Sequence, residues 1–204
     1  RRQRQMCIRD SMRPSLIPNR NKFPSSLIRR LYEAFRGRCK VEIHLMTKNP
    51  LDIINEINDS IELKERGDIN IIVQREAYNS QDEVIEELEE ISSMGYGAGL
   101  SLNLITPLNQ LTNDMIRKSD FILLMTVPMG YGGQPYAKSA TERIMTVSSK
   151  FPNTLIEVDG GINDHTIKIA KDAGAKRFVV GSFITRSDKP KEAVKKLWRS
   201  LQNF

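Results

Sequence analysis

The sequence lacks any apolar run long enough to cross a membrane. A membrane-spanning helix needs about 20 consecutive apolar residues, and no stretch of this 204-residue chain approaches that length. No basic, apolar and small-residue succession typical of a secretory signal opens the chain either. We therefore expect a cytoplasmic protein with no membrane partner.

Cysteine and unbalanced charge are also scarce. Cys7 and Cys39 are the two cysteines, and their spacing matches no metal-ligand or redox motif, which argues against a disulfide framework. Four arginines and one aspartate in the first eleven residues account for +3 of the formal net charge of +6. Elsewhere basic and acidic residues are interspersed, so we expect no nucleic-acid partner.

The first eleven residues differ in character from the rest. The run Met6 to Ser11 resembles one reading frame of a transposon adapter used to build sequencing libraries, and Arg1 to Gln5 fits further read-through. The alternative is a native basic tail. We interpret residues 1–11 as a non-native tail and residues 12–204 as one domain.

From residue 24 onward, helical and strand-like patterns alternate. Strands separated by helices indicate βαβ units and a parallel sheet. One predicted helix runs from Thr106 to Met115. Six strands are predicted after the first helix, at residues 41–46, 69–73, 97–103, 121–127, 155–158 and 177–180. Periodicity alone leaves two folds open, a doubly wound sheet and a closed eight-stranded barrel.

Chemical groups cluster where these strands end, which is where such folds carry function. Three of the strand ends are rich in glycine, and backbone N–H groups can approach a phosphate closely where no side chain intrudes. A simple turn is the alternative for any one of them. His44 and Asp159 suggest a divalent cation or an acid–base pair, against a hydrogen-bonded structural His and a turn-forming Asp. Met46 and Met125 would ordinarily fill a core.

Together, these clusters resemble the ribulose-phosphate 3-epimerase family. The resemblance runs from about residue 12 to the end of the chain. It rests on His44-Leu45-Met46 with Asn49-Pro50, Gly99 to Asn103 with Thr106-Pro107, Met125-Thr126-Val127 with Gly130 to Gln134, Glu157 to Gly161, and Ala173-Gly174-Ala175 with Gly181-Ser182. It implies a (β/α)8 TIM barrel in which strand 1 and most of strand 2 are missing or replaced, with His44 and Asp159 facing one mouth.

The resemblance also implies a reaction, the epimerisation of C3 between D-ribulose 5-phosphate and D-xylulose 5-phosphate by metal-assisted two-Asp proton transfer. Asp159 and Asp10 match the two catalytic, metal-binding carboxylates, and His44 matches a ligand of the cation, which would be Zn, Fe, Mn or Co. The substrate, a small phosphorylated ketose, would contact residues at positions that match the family: Met12, Met46, Met125, Gly130, Tyr131, Gly132, Gly133, Gly160, Gly161, Gly181 and Ser182.

The N-terminal part departs from the family pattern. Ile8 falls where a ligand His is expected, and Arg13-Pro14 replaces Asp-Gly. We therefore expect weak or absent epimerase activity. We also expect a chain that is unstable or prone to associate through an unpaired strand edge, and a homo-oligomer when the protein is intact. Two alternatives remain: a 3-epimerase of a hexulose 6-phosphate such as allulose 6-phosphate, and a noncatalytic phosphosugar-binding homologue.

Overall fold

The computed structural model describes the backbone of residues 4–12 and 25–202 and the side chains of residues 26–202. The chain divides into two compact units. The first comprises Arg1–Ser101 and Leu111–Asp120, and the second comprises Leu102–Gln110 and Phe121–Phe204. No helix within the described ranges is long and apolar enough to cross a membrane.

The first unit contains four parallel strands that pair in chain order. Strands β2 and β3 are almost wholly buried, as expected of strands covered on both faces of a parallel sheet. The strands are β1 (Arg4–Met12), β2 (Cys39–Met46), β3 (Ile69–Gln74) and β4 (Gly97–Leu102), and the helices are α1 (Ser25–Phe35), α2 (Pro50–Asn58), α3 (Gln81–Ser93) and α4 (Asn113–Lys118).

The second unit repeats the same alternation with three parallel strands, again paired in chain order. Its strands are β5 (Phe121–Met125), β6 (Ile156–Asp159) and β7 (Arg177–Val179). Its helices are α5 (Lys138–Lys150), α6 (Thr166–Asp172), α7 (Ser182–Thr185) and α8 (Pro190–Gln202). The six strands predicted after the first helix are therefore all present, within a few residues of their expected bounds.

The predicted helix from Thr106 to Met115 is wrong. The chain instead forms a short 3-10 helix over Leu108–Gln110, and α4 begins only at Asn113. The Thr112 hydroxyl accepts a hydrogen bond from the Met115 backbone N–H at 3.4 Å. A threonine that caps a new helix in this way competes with continuation of the preceding turn.

Strand β1 is the element that the sequence did not predict. It pairs with β2 in parallel, with Asp10 opposite His44 and Met12 opposite Met46, and its register is irregular between Cys7 and Arg9. Residues 4–12 thus form a strand at the edge of the first unit's sheet. The non-native origin of residues 1–11 stays a prediction.

A buried glutamate on α3 gives the first unit a pH-dependent stability. Glu87 is 7% exposed, and its Oε1 accepts no hydrogen bond from the described residues. Burial, with a smaller contribution from the charge of Glu90, raises the pKa of Glu87 from 4.5 to about 7. The folded state therefore binds this proton more tightly than the unfolded state, and stability should fall as the pH rises from about 4.5 to about 7.

Replacing Glu87 with Gln removes that proton linkage. Relative to the parent, the Gln variant should gain of order 1 kcal/mol in free energy of unfolding between pH 5 and pH 8. Urea unfolding at the two pH values measures the difference. Glu86→Gln, at an exposed position of the same helix, is the matched control and should show no such gain. An equal response of both variants would contradict the role of Glu87.

Candidate functional site

The ends of β5 and β6 bring two of the predicted site residues together. Met125 is the last residue of β5 and pairs in register with Asp159, the last residue of β6. Asp159 in turn pairs with Val179 at the end of β7. Met125 is buried and Asp159 is half-buried. The predicted acid–base carboxylate therefore lies at the carboxyl edge of the second unit's sheet.

Thr126 fixes the backbone of Asp159. This fully buried residue donates twice to the Asp159 carbonyl oxygen, from its backbone N–H at 2.7 Å and from its hydroxyl at 2.9 Å. The hydroxyl oxygen also lies against the Gly160 carbonyl. Because both interactions reach across from the neighbouring strand, they tie the end of β6 to the end of β5.

Glu157 precedes Asp159 by two residues, so both side chains lie on the same face of β6. Glu157 is buried and lies 3.5 Å from Arg177 Nη1, and the Arg177 guanidinium stacks over the Phe121 ring. The Glu157 carboxylate therefore has a structural role as the ion-pair partner of Arg177. Asp159 is the last residue of this strand and directly precedes Gly160 and Gly161.

The two glycines after Asp159 are required by packing within the unit. Gly160 has φ +119° and Gly161 has φ +65°, in the left-handed region that favours glycine. A Cβ on Gly160 would lie 2.4 Å from Val127 Cγ2, and one on Gly161 would lie 2.2 Å from the backbone N of Tyr136. These glycines let two loops approach each other; their contact with a phosphate stays a prediction.

The glycine-rich loop after β5 is held by amide side chains. Gln134 donates to the carbonyl oxygens of Pro128 and Tyr131, both at 2.8 Å. The buried Asn103 side chain accepts from the Met129 backbone N–H at 3.1 Å. Among the predicted contacts in this loop, Gly130 is buried and Tyr131, Gly132 and Gly133 are exposed.

The last predicted phosphate contacts, Gly181 and Ser182, open the four-residue helix α7. Gly181 is exposed, and a Cβ there would meet no atom within 4 Å. One turn later, the Arg186 guanidinium lies against Gly133. The glycine-rich loop and the start of α7 are therefore neighbours through Arg186.

His44 and Met46 lie at the end of β2 in the first unit, and both are buried. Gln74 Nε2 lies 2.7 Å from His44 Nε2. An amide nitrogen only donates, so His44 Nε2 accepts this hydrogen bond, and in the neutral ring Nδ1 carries the proton. Asp10 and Met12 are in backbone register with His44 and Met46, and their side chains lie outside the described residues.

The described donors do not by themselves fit a metal centre. Within residues 26–202, no group of three or more His, Cys, Asp or Glu side chains is placed to hold a cation. The Nε2 lone pair of His44 is engaged by Gln74. The predicted ligands His44 and Asp159 belong to different units, and the third, Asp10, has no described side chain.

Sequence reasoning missed Thr126 and Gln74 as positioning residues. Thr126 directly follows the apolar run Phe121 to Met125, and Gln74 directly follows the apolar residues Ile71 to Val73. Both are fully buried and bond to a predicted site residue. A lone polar residue at that point of a buried parallel strand is the signal that could have identified them.

Replacing Thr126 with Val should lower the free energy of unfolding by about 1–2 kcal/mol, because a buried hydroxyl hydrogen bond is lost while the shape is kept. Thr126→Ser retains the hydroxyl and should recover much of the loss. Urea unfolding of the three proteins measures the difference. A Val variant as stable as the parent would show that the backbone N–H alone holds Asp159.

Comparison with known proteins places these features in a family. The model of the ribulose-phosphate 3 epimerase family matches residues 10–185. The cytoplasmic isoform of ribulose-phosphate 3-epimerase from Oryza sativa subsp. japonica is 30% identical over 167 residues, which cover 81% of this chain and 70% of the rice protein. The ribulose-phosphate 3-epimerase of Buchnera aphidicola subsp. Schizaphis graminum is 31% identical over 95% of this chain and 82% of that protein.

Solved structures show the fold. A 3-hexulose-6-phosphate synthase superposes with a TM-score of 0.63 at 15% identity, covering 86% of this chain and 80% of that one. Orotidine 5'-phosphate decarboxylase from Pyrococcus horikoshii superposes with a TM-score of 0.59 at 17% identity, over 88% of this chain and 81% of that one. These likenesses confirm the predicted TIM-barrel class.

Proposed function

Because the chain belongs to the ribulose-phosphate 3-epimerase family, a family of isomerases, we propose that it binds a phosphorylated ketose and moves the proton at C3. The substrates proposed are D-ribulose 5-phosphate and D-xylulose 5-phosphate. The single observation that carries this proposal is the placement of Asp159, a half-buried carboxylate at a strand end whose carbonyl is fixed by Thr126.

In the proposed reaction, Asp159 exchanges a proton with C3 of the ketose. Removal breaks the C3–H bond, and the electron pair moves into a C2–C3 double bond while the C2 carbonyl oxygen gains negative charge, giving an enediolate. Return of a proton to the same face restores the starting epimer. Return to the opposite face by a second acid inverts C3, and Asp10 is the residue proposed for that face.

The phosphate would be bound by main-chain N–H groups of the three glycine-rich segments in the second unit. Gly130 to Gly133, Gly160-Gly161 and Gly181-Ser182 all belong to that unit. Glycine leaves the N–H groups accessible to an anion. The proposed division of labour places phosphate binding and Asp159 in one compact unit.

A bound cation is proposed from the family resemblance alone, with His44, Asp159 and Asp10 as its ligands. Since the described donors do not form a metal centre, no proton step above depends on it. Elemental analysis of the dialysed protein tests the cation directly: Zn, Fe, Mn or Co retained at one per chain, and lost in His44→Gln, supports it.

The experiment that tests the function is deuterium uptake at C3, followed by NMR from each epimer separately in heavy water. Uptake requires one positioned base, whereas net epimerisation requires an acid on each face. Uptake from one or both epimers supports the proposal. Binding of the ketose phosphate with no uptake from either epimer refutes catalysis, and allulose 6-phosphate in the same assay tests the hexulose alternative.

A second candidate is a noncatalytic phosphosugar-binding protein. It is favoured by one observation, the hydrogen bond between Gln74 and His44 Nε2 at 2.7 Å. Cytoplasmic location and assembly into homo-oligomers also remain proposals. Sedimentation of the purified chain tests the assembly.

A further inference from the structure

We propose that Arg186 is a phosphate-binding side chain, whose guanidinium pairs with the phosphomonoester dianion of the ketose substrate. The inference deepens the proposed function and rests on it. It adds a cationic side chain to a site that the sequence predicted from glycine backbone alone.

The position of the guanidinium is the first argument. A Cβ built on Gly133 would lie 3.1 Å from Arg186 Nη2, 3.2 Å from Nη1 and 3.4 Å from Cζ. The end of the guanidinium therefore lies against the Gly133 residue. Gly133 has φ +79°, a backbone conformation that favours glycine.

The main chain also holds Arg186 next to the Gly181-Ser182 segment. Its backbone N–H donates to the Ser182 carbonyl at 3.0 Å, which closes α7. Arg186 thus stands one helical turn after Gly181-Ser182 while its side chain reaches Gly133. Two of the three segments proposed to contact the phosphate therefore meet at this arginine.

The charge of Arg186 is available to a ligand. Its side chain is exposed and makes no ion pair or hydrogen bond with the described residues. A guanidinium presents five donors in a planar fork that matches phosphate oxygens bidentately, and such charge-assisted bonds are stronger than neutral ones. Arg186 also follows directly after residue 185, where the match to the family model ends.

Calorimetric titration of the parent with D-ribulose 5-phosphate, inorganic phosphate and D-ribulose tests the inference. Arg186→Gln should weaken binding of D-ribulose 5-phosphate and inorganic phosphate roughly tenfold. The affinity of Arg186→Lys should lie between those of the parent and Arg186→Gln. Arg199→Gln removes the same charge from an exposed position of α8 in the same unit and should leave the affinities unchanged.

The pH dependence separates ion pairing from a structural effect. The phosphate ionises to the dianion near pH 6, so the parent's affinity should rise between pH 5 and pH 7.5, and this rise should shrink in Arg186→Gln. If the parent binds ketose phosphate and Arg186→Gln binds it equally, the inference about Arg186 is overturned while the proposed function stands. If the parent binds neither D-ribulose 5-phosphate nor inorganic phosphate, the inference about Arg186 and the proposed function are both refuted.

Discussion

Asp159→Asn is expected to lower the rate of deuterium uptake at C3 by about 10²–10⁴-fold, the usual contribution of a positioned acid–base group. The amide keeps the shape of the side chain but has no basic oxygen that can remove a proton at neutral pH. The Asp159 carbonyl would still receive both donors from Thr126, so the backbone should stay in place. Affinity for D-ribulose 5-phosphate should change little, because binding of the phosphate is proposed to rest on other groups.

The matched control is Asp164→Asn, an exposed aspartate five residues further along the same connection, which should exchange at the parent rate. An Asp159→Asn variant that still exchanges at near-parent rate would remove Asp159 from the chemistry. A variant that loses ligand affinity and uptake together, with unchanged stability, would assign Asp159 to binding.

Gly161→Ala is expected to destabilise the second unit by about 2–5 kcal/mol. The left-handed backbone conformation costs a residue with a Cβ about 1–2 kcal/mol, and overpacking typically costs another 1–3 kcal/mol. The added methyl would lie 2.2 Å from the Tyr136 backbone N and 2.7 Å from its Cα. Neither is the end of a flexible side chain, so one of the two loops must move.

Gly132→Ala serves as the control, because a Cβ at this exposed position meets no atom within 4 Å. It should unfold within about 1 kcal/mol of the parent. Urea unfolding compares the three proteins, and calorimetry with D-ribulose 5-phosphate shows whether the displaced loop still binds. If Gly161→Ala were as stable as Gly132→Ala, the close approach of the two loops would be refuted.

Local sequence patterns predicted the elements whose signals are local. Ser80 with Glu83 three residues later forms a capping-box pattern at the start of α3, and the Ser80 hydroxyl does accept from the Glu83 backbone N–H at 3.1 Å. The mainly apolar runs predicted β3 and β5, because strands buried on both faces of a parallel sheet are rich in apolar residues. The helix from Thr106 was wrong because hydrophobic spacing does not show where Thr112 restarts the hydrogen-bonding pattern.

Features that depend on residues distant in sequence could not be predicted in the same way. The partner of Thr126 is 33 residues away, and that of Gln74 is 30 residues away. The steric need for glycine at 161 arises from Tyr136. Strand β1 is held by pairing with β2, while its own residues Arg4 to Met12 lack a clear alternation, so only the neighbouring strand shows that they extend.

The strand ends Asp10 and His44 illustrate what a resemblance adds. The alignment of the N-terminal residues with the family pattern placed Asp10 and His44 in one site. The backbone register of β1 and β2 sets these two residues opposite each other. The shared role of the two residues stays a prediction.

The hydrogen bond from the Ala137 N–H to the Thr126 carbonyl, at 3.0 Å, closes the segment between these two residues into a loop. Its two ends are joined independently of what lies between them, and doubling the length of a closed loop costs only about 0.6 kcal/mol in closure entropy. Grafting a loop of another length in place of residues 128–134 should therefore cost little in closure entropy. Pro135 and Tyr136 must be kept in such grafts, because Gly161 rests on their backbone.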